Sequence, residues 1–521
     1  MFLRDLFISK GLTDFEMQPK EIFGRPDFYF ENRKTALFMD GCFWHGCENC
    51  FQEPATNKKF WNSKIKTNIS RDRMVDKKLK SLGIKVIRVK EHELKKDANN
   101  VLDSIEKKLP PDNRPRVLDL FAGAGGLSEG FIRAGCNMIG HIEMDENACS
   151  TLVTRMIYHA LLKRGAMQEY KQYVLGKITR ETLIEKYGLQ KERDSVICST
   201  INESSYKDLI EQIRLRLGDE ELDMIVGGPP CQAYSCIGRA RDDRNMKWDR
   251  RKFLYRYYVG FLKAFKPKIF VFENVPGLIS SGDGKYLKDM CRLMKNVGYD
   301  TAYEVLNAAH FGIPQNRNRV ILVGWNKKSK LKKYPNFKKV ERDYLVKDFL
   351  GDLPKINAGE EIKTRKFSKE NILLERLGIV NPEFGLLMDH IARPNTKKDL
   401  EIYKRAVLEK QKGANIKYNQ LPGRLKTHKN EWGFLDRFKV VDDEACGSHT
   451  VVAHIAKDGH FYIHPDLKQN RSLTVREAAR LQTFPDDFKF EGQRGPRFKQ
   501  IGNAVPPMFS TILAEELIKY L

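Results

Sequence analysis

A single cysteine of chemical interest lies directly after a Gly-Gly-Pro-Pro turn. The stretch Asp223-Met-Ile-Val-Gly-Gly-Pro-Pro-Cys231 begins with apolar residues that predict a buried parallel strand, and its glycines and prolines end that strand abruptly. Groups just beyond the carboxyl ends of such strands face the ligand crevice of an open α/β sheet. Cys231 is therefore a candidate nucleophile. The simpler interpretation of a lone cysteine is an inert thiol in a core.

Two later stretches also bring polar side chains to strand ends. Residues 268–272 predict a strand that delivers Glu273, and Gln315-Asn-Arg317-Asn-Arg319 leads into a strand at 320–324. Side chains alternate along a strand, so Gln315, Arg317 and Arg319 share one face. A thiol, a carboxylate and two guanidinium groups are thus expected at one sheet edge, although each taken alone also fits a solvated loop.

A glycine-rich turn precedes these groups. Phe121-Ala-Gly123-Ala-Gly125-Gly126 follows an apolar strand, and Glu143 ends the next strand. Glycines let backbone approach a ligand closely, and a carboxylate so placed commonly accepts hydrogen bonds from ribose hydroxyls. The dinucleotide fingerprint is incomplete because Ser128 takes the place of its third glycine. A nucleoside cofactor such as S-adenosylmethionine fits better than NAD.

Together these groups predict a reaction on cytosine. Carbon 5 is too weak a nucleophile to attack a methyl sulfonium, but addition of the Cys231 thiolate at carbon 6 converts the ring into an enamine. Arg317 is the candidate cation that favours the thiolate. Glu273, protonated or sharing a proton, would hydrogen-bond ring nitrogen 3 and the exocyclic amine. The base must first leave the duplex.

The first hundred residues hold a separate candidate metal site. Three cysteines in a Cys-x4-Cys-x2-Cys pattern and one later histidine supply the ligands of a closed tetrahedral zinc site. The residues are Cys42, Cys47, Cys50 and His92. The alternative is that the cysteines are simply buried and the histidine is a surface residue.

Asp27 and His45 form a candidate hydrolytic pair in the same segment. If Asp27 binds a divalent cation such as magnesium and His45 activates water, the two residues suit hydrolysis of a phosphodiester. Isolated aspartate and histidine residues rarely have this meaning, so the pattern by itself leaves the pair open.

The elements that must position these groups predict an α/β protein of several units. We expect a small α/β unit with a helix at 2–9 and strands at 27–30, 35–39 and 84–89, then a proline-rich linker and a Rossmann-like sheet. The small α/β unit is predicted at 1–109 and the linker at 110–115. A catalytic domain follows at 116–326, with a helical insertion at 151–220. A recognition domain at 327–464 precedes the return to the catalytic domain at 465–521.

Bulk composition indicates a polyanionic partner. Lys and Arg number 92 against 68 Asp and Glu, which gives a net charge of +24, and cationic side chains bind nucleic-acid phosphates. A generally basic, well-solvated surface is the alternative. We expect no membrane association, because no apolar run reaches about 18 residues. No signal peptide is evident, and the ten mostly scattered cysteines indicate reduced thiols. We therefore expect a cytoplasmic protein of prokaryotic type that is associated with the nucleoid.

The first segment resembles the very-short-patch mismatch repair endonucleases. The motifs are Gly24-Arg-Pro-Asp27, Asp40-Gly-Cys-Phe-Trp-His45-Gly-Cys47, Pro54-Ala-Thr-Asn57, Phe60-Trp61, Lys64-Ile-x-x-Asn68, Arg71-Asp72 and Glu91-His92. The resemblance implies that Asp27 holds magnesium, that His45 is the base, and that the cysteines with His92 hold structural zinc. Family members usually begin with a polar arm and a helix glutamate that this sequence lacks, so a weakened or inactive nuclease is an alternative.

Residues 115–521 resemble the cytosine-5 DNA methyltransferases. The motifs, in the order of that family, are Asp119-Leu-Phe-Ala-Gly-x-Gly-Gly, Gly228-Pro-Pro-Cys231, Glu273-Asn-Val, Gln315-x-Arg317-x-Arg319, Arg476-Glu-Ala-Ala-Arg-Leu-Gln-x-Phe484-Pro and Gly502-Asn503-Ala-Val-Pro-Pro507. The resemblance implies that S-adenosylmethionine is bound by Phe121, Gly123, Gly125, Gly126, Glu143, Pro229, Asn503 and Val505. The usual Gly-Asp-Ile contact to adenine is not evident, and Asn202 or a neighbour is the expected substitute.

We therefore predict a DNA cytosine-5 methyltransferase, acting as a monomer on double-stranded DNA, fused to a T·G mismatch nicking domain. In one alternative the amino-terminal domain is a nuclease-dead, zinc-stabilised DNA-binding or structural module. In another it is a restriction nuclease paired with the methylase. A tRNA-methylating branch shares several motifs, but the long basic recognition region favours DNA.

Overall fold

A computed structural model describes residues 2–9, 12, 15–51, 53, 55–230, 253–367, 370–427 and 430–521. The chain forms two compact units. The first comprises Met1–Arg114 and Met156–Arg193, and the second comprises Pro115–Arg155 and Asp194–Leu521. No helix in the described part of the chain combines the length and the apolar character needed to span a membrane.

The first unit is built on a small mixed sheet of order β1-β2-β3-β4. Its strands pair antiparallel except β3 and β4, which are parallel because the long helix α2 connects them. The strands are β1 (Glu16–Met17), β2 (Phe28–Phe30), β3 (Thr35–Asp40) and β4 (Lys85–Lys90), and the helices are α1 (Phe2–Ser9), α2 (Lys58–Ser81), α3 (Glu91–Lys96) and α4 (Ala98–Lys108).

Alternation along β2 and β3 gives this sheet two apolar faces. Phe28 and Phe30 pack edge-on against Phe7 of α1, with ring centroids 5.1 and 5.7 Å apart. Tyr29, Phe38 and their neighbours form a second cluster with Val75 and Leu79 of α2. The sheet is therefore covered on both sides, as its apolar strands require.

Helices within 156–193 belong to the first unit, which differs from the predicted insertion at 151–220. The helices of this part of the chain are α6 (Glu146–Lys163), α7 (Met167–Val174), α8 (Arg180–Tyr187) and α9 (Gln190–Asp194). Strand β7 (Val196–Cys198) and helix α10 (Tyr206–Leu217) then return to the second unit. The sequence did not predict strand β7, because three residues are too few to show the alternation that identifies a strand.

The second unit contains a sheet of order β10-β12-β9-β8-β5-β6-β7 in the described residues. Strands β5 to β9 run parallel to one another, whereas β12 runs antiparallel to both β9 and β10. The remaining bounds are β5 (Arg116–Leu120), β6 (Asn137–Glu143), β8 (Met224–Gly227), β9 (Ile269–Asn274), β10 (Asp300–Asn307), β11 (Gln315–Asn316) and β12 (Asn318–Trp325). This arrangement confirms the predicted α/β class.

Helices cover both faces of this sheet. One core joins the sheet to α10, α11 (Leu254–Phe265) and α13 (Lys285–Asn296), and the other joins it to α5 (Gly126–Arg133) and α19 (Pro507–Ile518). The short helix α12 (Gly277–Ser280) follows β9. The carboxyl ends of β5, β6, β8 and β9 consequently meet at one edge, which is where the predicted site residues lie.

Short elements dominate the region after β12. They are α14 (Val346–Leu350), β13 (Glu361–Ile362), β14 (Arg365–Lys366), α15 (Ile372–Arg376), β15 (Leu386–Leu387), β16 (His390–Ile391), α16 (Lys397–Gln411) and β17 (Ser448–His449). The chain then forms α17 (Val475–Leu481) and α18 (Arg494–Asn503) before α19.

Helix α17 is buried on all sides and holds this region together through arginines. Arg476 donates to the carbonyl oxygens of residues 388, 485 and 488 at 2.9 to 3.1 Å. Arg480 binds the carboxylates of Asp352 and Asp486 at 2.5 and 2.6 Å. These buried charges are fully paired, which is the condition under which a core tolerates them.

Candidate active sites

Left-handed residues shape the turn after β5. Phe121, Gly123 and Gly125 have φ values of 59°, 56° and 86°. A side chain at Gly126 would place its Cβ 2.2 Å from the carbonyl oxygen of Val505, so only glycine lets these segments meet. No described atom beyond the adjoining residues lies within 4 Å of where a Cβ of Gly123 would be. The turn therefore presents open backbone to a ligand.

Glu143 lies beside this turn, as its spacing predicts. Its Oε2 accepts a hydrogen bond from the backbone N–H of Gly123 at 2.8 Å, and its Oε1 accepts one from the N–H of Asp145 at 2.9 Å. Each carboxylate oxygen keeps a second lone pair for a ligand hydroxyl. The glycine cradle and this half-buried acid at a strand end fit a nucleoside cofactor such as S-adenosylmethionine.

The carboxyl-terminal segment completes the surroundings of the turn. Val505 is buried and in contact range of Gly126, whereas Asn503 at the end of α18 is exposed. Asn202, the expected substitute at the adenine, uses its Oδ1 to accept hydrogen bonds from the N–H groups of Ser204 and Ser205. That oxygen therefore caps the turn before α10.

Two glycines at the end of β8 are required by close packing. A Cβ on Gly227, whose φ is +137°, would lie 1.9 Å from the carbonyl oxygen of Leu120, and one on Gly228 would lie 2.2 Å from that of Glu273. The amide of Asn274 donates to the carbonyl oxygen of Pro229 at 3.1 Å. These contacts direct the chain towards Cys231, which lies outside the described residues.

Glu273 and Arg319 form an ion pair at this edge. The Nε of Arg319 is 2.8 Å from Oε1 of Glu273, and both side chains are largely buried. The second carboxylate oxygen lies on the side of the Gly-Pro-Pro turn, 3.0 Å from the Cβ position of Gly228. The pair therefore orients one carboxylate oxygen towards the segment that leads to Cys231.

Arg317 is buried and bound to backbone carbonyl groups. Its guanidinium is 1 % exposed and donates to the carbonyl oxygens of Val451, Gly502 and Ala504 at 2.7, 3.3 and 2.8 Å. Its two terminal nitrogens bind backbone carbonyl groups, and its predicted proximity to the thiol stays a prediction, because Cys231 lies outside the described residues. Arg317 joins three segments, and Arg319 is the arginine that reaches a predicted site residue.

Asp119 is a buried carboxyl that the sequence reasoning left without a role. Its Oδ2 accepts a hydrogen bond from the Ser128 hydroxyl at 2.5 Å, and its Oδ1 has no hydrogen-bond partner among the described residues. Burial raises the pKa of Asp119 to about 7, and the nearby charge of Glu143 acts in the same direction. The sequence feature that could have identified Asp119 as a functional candidate is its place in the Asp119-Leu-Phe motif.

The predicted zinc ligands converge. The ligand atoms of Cys42, Cys47, Cys50 and His92 all lie within 4.8 Å of one another. The three sulfurs are 3.2, 3.4 and 3.6 Å from Nδ1 of His92. Zinc bonds of about 2.3 Å to sulfur and about 2.0 Å to nitrogen place tetrahedral ligands roughly 3.5 Å apart, so this set fits zinc.

His45 and Asp27 line a cleft of about 250 Å³ that also includes Asp40, Asp72 and Arg88. Nδ1 of His45 is 2.6 Å from the Asp72 carboxylate, an arrangement that orients the ring and leaves Nε2 to act as a base. Burial raises the pKa of Asp40, and its ion pair with Arg88 at 2.7 Å opposes that rise.

Asp27 accepts a hydrogen bond from the backbone N–H of Met39 at 2.7 Å. Magnesium commonly binds through one or two carboxylates and several waters, so Asp27 with Asp40 is a chemically suitable pair. Asp72 lies on α2, and the sequence did not identify it as the partner of His45, although Arg71-Asp72 is one of the motifs that resemble the mismatch endonucleases. Sequence spacing does not show which residues of two separate elements meet.

Comparison with known proteins decides the family. The profile of the C-5 cytosine-specific DNA methylases matches residues 115–161 and 182–519. The type II methyltransferase M.Bpa9945I of Bacillus paralicheniformis is 39% identical over 441 residues, which cover 76% of this chain and 97% of that protein. The chain belongs to the C-5 cytosine-specific DNA methylase family. It is therefore an enzyme, as predicted.

Further similarities agree with this assignment. The type II methyltransferase M.XorII of Xanthomonas oryzae pv. oryzae is 31% identical over 433 residues, covering 78% of the present methylase and 85% of M.XorII. A solved structure described as a DNA modification methyltransferase encoded within an E. coli prophage has a TM-score of 0.50 at 22% identity. It covers 78% of this chain and 99% of that one, and it supports the fold alone.

The amino-terminal resemblance is also confirmed. The profile of the DNA mismatch endonuclease Vsr matches residues 1–52. The methylase profile passes over residues 162–181, which lie among the helices that belong to the first unit. The methylase is thus fused to a domain of the Vsr type.

The titration of Asp119 predicts a pH-dependent stability. Because its folded pKa of about 7 exceeds the usual 3.8, its contribution is complete below about pH 4 and is lost as the pH rises through about 7. The difference between these two pKa values corresponds to a change of at most about 4 kcal/mol in the free energy of unfolding. Asp119→Asn, which mimics the neutral acid, should unfold at a higher temperature than wild type above pH 7, with the advantage shrinking as the pH falls. Asp219→Asn on the exposed surface is the matched control, and parallel melting curves from acid to alkaline pH would refute the assignment.

Arg317, between β11 and β12, and Arg319, in β12, are expected to give different phenotypes when replaced. Arg317→Met leaves three buried carbonyl groups without their donor, and we expect the free energy of unfolding in urea to fall by roughly 3 kcal/mol or more. Arg319→Met leaves the single carboxylate of Glu273 without its partner, so we expect a smaller loss of stability, about 1–2 kcal/mol. It should also lower kcat for methyl transfer by about 10²-fold or more, because the Glu273 carboxylate is no longer held in place. Equal stability of the two variants would contradict the assigned roles.

Proposed function

We propose that this methylase transfers a methyl group from S-adenosylmethionine to carbon 5 of a flipped cytosine in a specific duplex DNA site, with Cys231 as the nucleophile. The observation that carries the proposal is the Glu273–Arg319 pair beside the Gly228-Pro-Pro turn that leads to Cys231. Residues 327–464 would read the DNA site, and the enzyme would act as a monomer.

Residues around the glycine turn would hold the cofactor. Glu143 would accept the ribose hydroxyls, and the open backbone at Gly123 would admit the nucleoside. The other proposed contacts are Phe121, Gly125, Gly126, Pro229, Asn503 and Val505. When bound, S-adenosylmethionine supplies an electrophilic methyl group.

Cys231 would open the reaction by adding its thiolate to carbon 6 of the cytosine. The electron pair of the carbon 5–carbon 6 double bond then resides on carbon 5, which becomes nucleophilic. Glu273, with one oxygen held by Arg319 and the other on the side of the turn, would hydrogen-bond the exocyclic amine and, through a shared proton, nitrogen 3. Thymine lacks that amine, so the same contact selects cytosine.

Two further events on the substrate restore the ring. Once carbon 5 carries the methyl group, a water molecule takes its remaining proton, and the electron pair of that carbon–hydrogen bond re-forms the double bond and expels the Cys231 thiolate from carbon 6. The cytosine must be outside the helix throughout, at a cost of a few kcal/mol in lost stacking and pairing that contacts in the site offset.

Replacement of Cys231 tests this mechanism. Cys231→Ser should abolish transfer of labelled methyl groups to duplex DNA, because a serine hydroxyl is not ionised at neutral pH. Cys291→Ser, at a half-buried cysteine of α13 outside residues 327–464, should leave the rate unchanged. Methyl transfer by the Cys231→Ser protein at the wild-type rate would eliminate the covalent mechanism.

For the amino-terminal domain we propose nicking of one DNA strand beside a T·G mismatch. Deamination of 5-methylcytosine leaves thymine opposite guanine, so this activity would repair damage that the methylase makes possible. The match to Vsr and the contact of His45 with Asp72 in a cleft that includes Asp27 support the proposal. Asp27 would hold magnesium, and zinc on the cysteines would fix the loop that carries His45.

A mismatched duplex with magnesium tests the nicking domain. We expect one strand to be cut beside the mismatch, no cutting by Asp27→Ala, and a rate lowered by about 10²- to 10⁴-fold in Asp72→Asn because His45 loses its orientation. Glu106→Ala, at an exposed carboxylate of α4, should cut normally.

Two results would decide for the alternatives. No cutting of any duplex by the intact protein would identify a zinc-stabilised DNA-binding or structural module. Cutting of unmethylated, fully paired DNA in preference to mismatched DNA would identify a restriction nuclease. Both are read from the same strands on a denaturing gel.

A further inference from the structure

One face of α2 carries a continuous row of basic and hydroxyl side chains. At about 100° per residue, positions 59, 63, 66, 70, 73 and 77 fall within an arc of roughly 80° on this 24-residue helix. All six side chains are exposed, and we call them the basic row: Lys59, Ser63, Lys66, Ser70, Arg73 and Lys77.

No carboxylate interrupts this row. The two acidic residues of α2, Asp72 and Asp76, lie on a different face, where they bind His45 and Arg88 at 2.6 and 2.9 Å. The four cations of the basic row have no acidic partner among the described residues. Like charges four residues apart, as at Arg73 and Lys77, destabilise a helix by about 0.2–0.5 kcal/mol. Helix stability therefore does not account for the row.

The length of the row indicates the form of its partner. From Lys59 to Lys77 the helix rises about 27 Å at about 1.5 Å per residue. Duplex DNA carries phosphates all along such a length, roughly one charge per 1.7 Å of its axis. Lysine, arginine and serine side chains all donate hydrogen bonds to phosphate oxygens. A straight row of these donors is complementary to an extended, regularly charged polyanion.

We propose that the basic row is a phosphate-binding track for duplex DNA, and that it raises the affinity of the whole chain for DNA whether or not the nearby cleft cuts. The inference rests on the proposed function only in taking DNA as the substrate. The first unit thereby contributes to DNA capture for methylation. Loss of the row raises KM for DNA and leaves kcat unchanged, because none of its members belongs to the methyl-transfer site.

Two triple variants of equal charge test the track. One removes three lysines of the row, Lys59→Ala, Lys66→Ala and Lys77→Ala. The control removes three exposed lysines outside it, Lys64→Ala, Lys78→Ala and Lys107→Ala. Alanine favours helix, so α2 persists in both. Binding of a short duplex is measured by fluorescence anisotropy over a range of salt concentrations, and methyl transfer is measured against DNA concentration.

For the row variant we expect the slope of log K against log salt to become less steep by about 2.7, that is about 0.9 for each lost phosphate contact. Its KM for DNA should rise several-fold at unchanged kcat. The control should change this slope by less than about 0.9, the value for one phosphate contact. Equal effects of the two triples would show that bulk charge, not the row, binds DNA.

Other polyanions complete the test. If removal of the row weakens binding to single-stranded RNA or to phosphatidylglycerol vesicles while duplex binding is unchanged, the DNA track is refuted in favour of that partner. A chain that binds duplex through the row but never methylates it refutes the proposed function alone. A chain that methylates DNA with the same KM in wild type and row variant refutes the track alone.

Discussion

The methylase site depends on the hydrogen bonds of one buried cation. Arg317 donates to carbonyl groups at Val451, Gly502 and Ala504, which lie 134, 185 and 187 residues further along the chain. A guanidinium removed from water must find such acceptors, so its burial requires those segments to meet at β11. Val505 then lies against the glycine turn, where Gly126 leaves room for its carbonyl oxygen. The contacts of Arg317 thus bring the carboxyl-terminal segment to the glycine turn.

The same principle applies to α17, whose motif residues are structural. Arg471 and Glu477 form a buried pair at 2.7 Å, and although burial alone would raise the pKa of Glu477, the charge of Arg471 lowers it on balance. Arg480 likewise lowers the pKa of the fully buried Asp486 against the effect of burial. Breaking one partner of such a pair leaves an uncompensated charge in the core. The motif residues of this chain therefore form two groups: some lie at the strand edge, and others hold together the segments around it.

Sequence predicts the local part of this structure and misses the part set by distant contacts. The position of Glu143 beside Gly123 follows from the strand–turn–helix order, and the zinc ligands from cysteine spacing, because each depends on short-range geometry. The partners of Arg317 and the meeting of His45 with Asp72 depend on tertiary packing between separate elements, which no spacing encodes. The grouping of residues 156–193 with the first unit is missed for the same reason. Arg317 and Arg319, two residues apart in one motif, consequently have different surroundings.

Cytosine methylation is tested most directly by bisulfite sequencing of DNA from a methylase-free bacterial host that expresses this chain. We expect cytosines to resist conversion within one short sequence and nowhere else, because the enzyme would modify carbon 5 at a specific site. Complete conversion of every cytosine, with the protein folded and expressed, would contradict it.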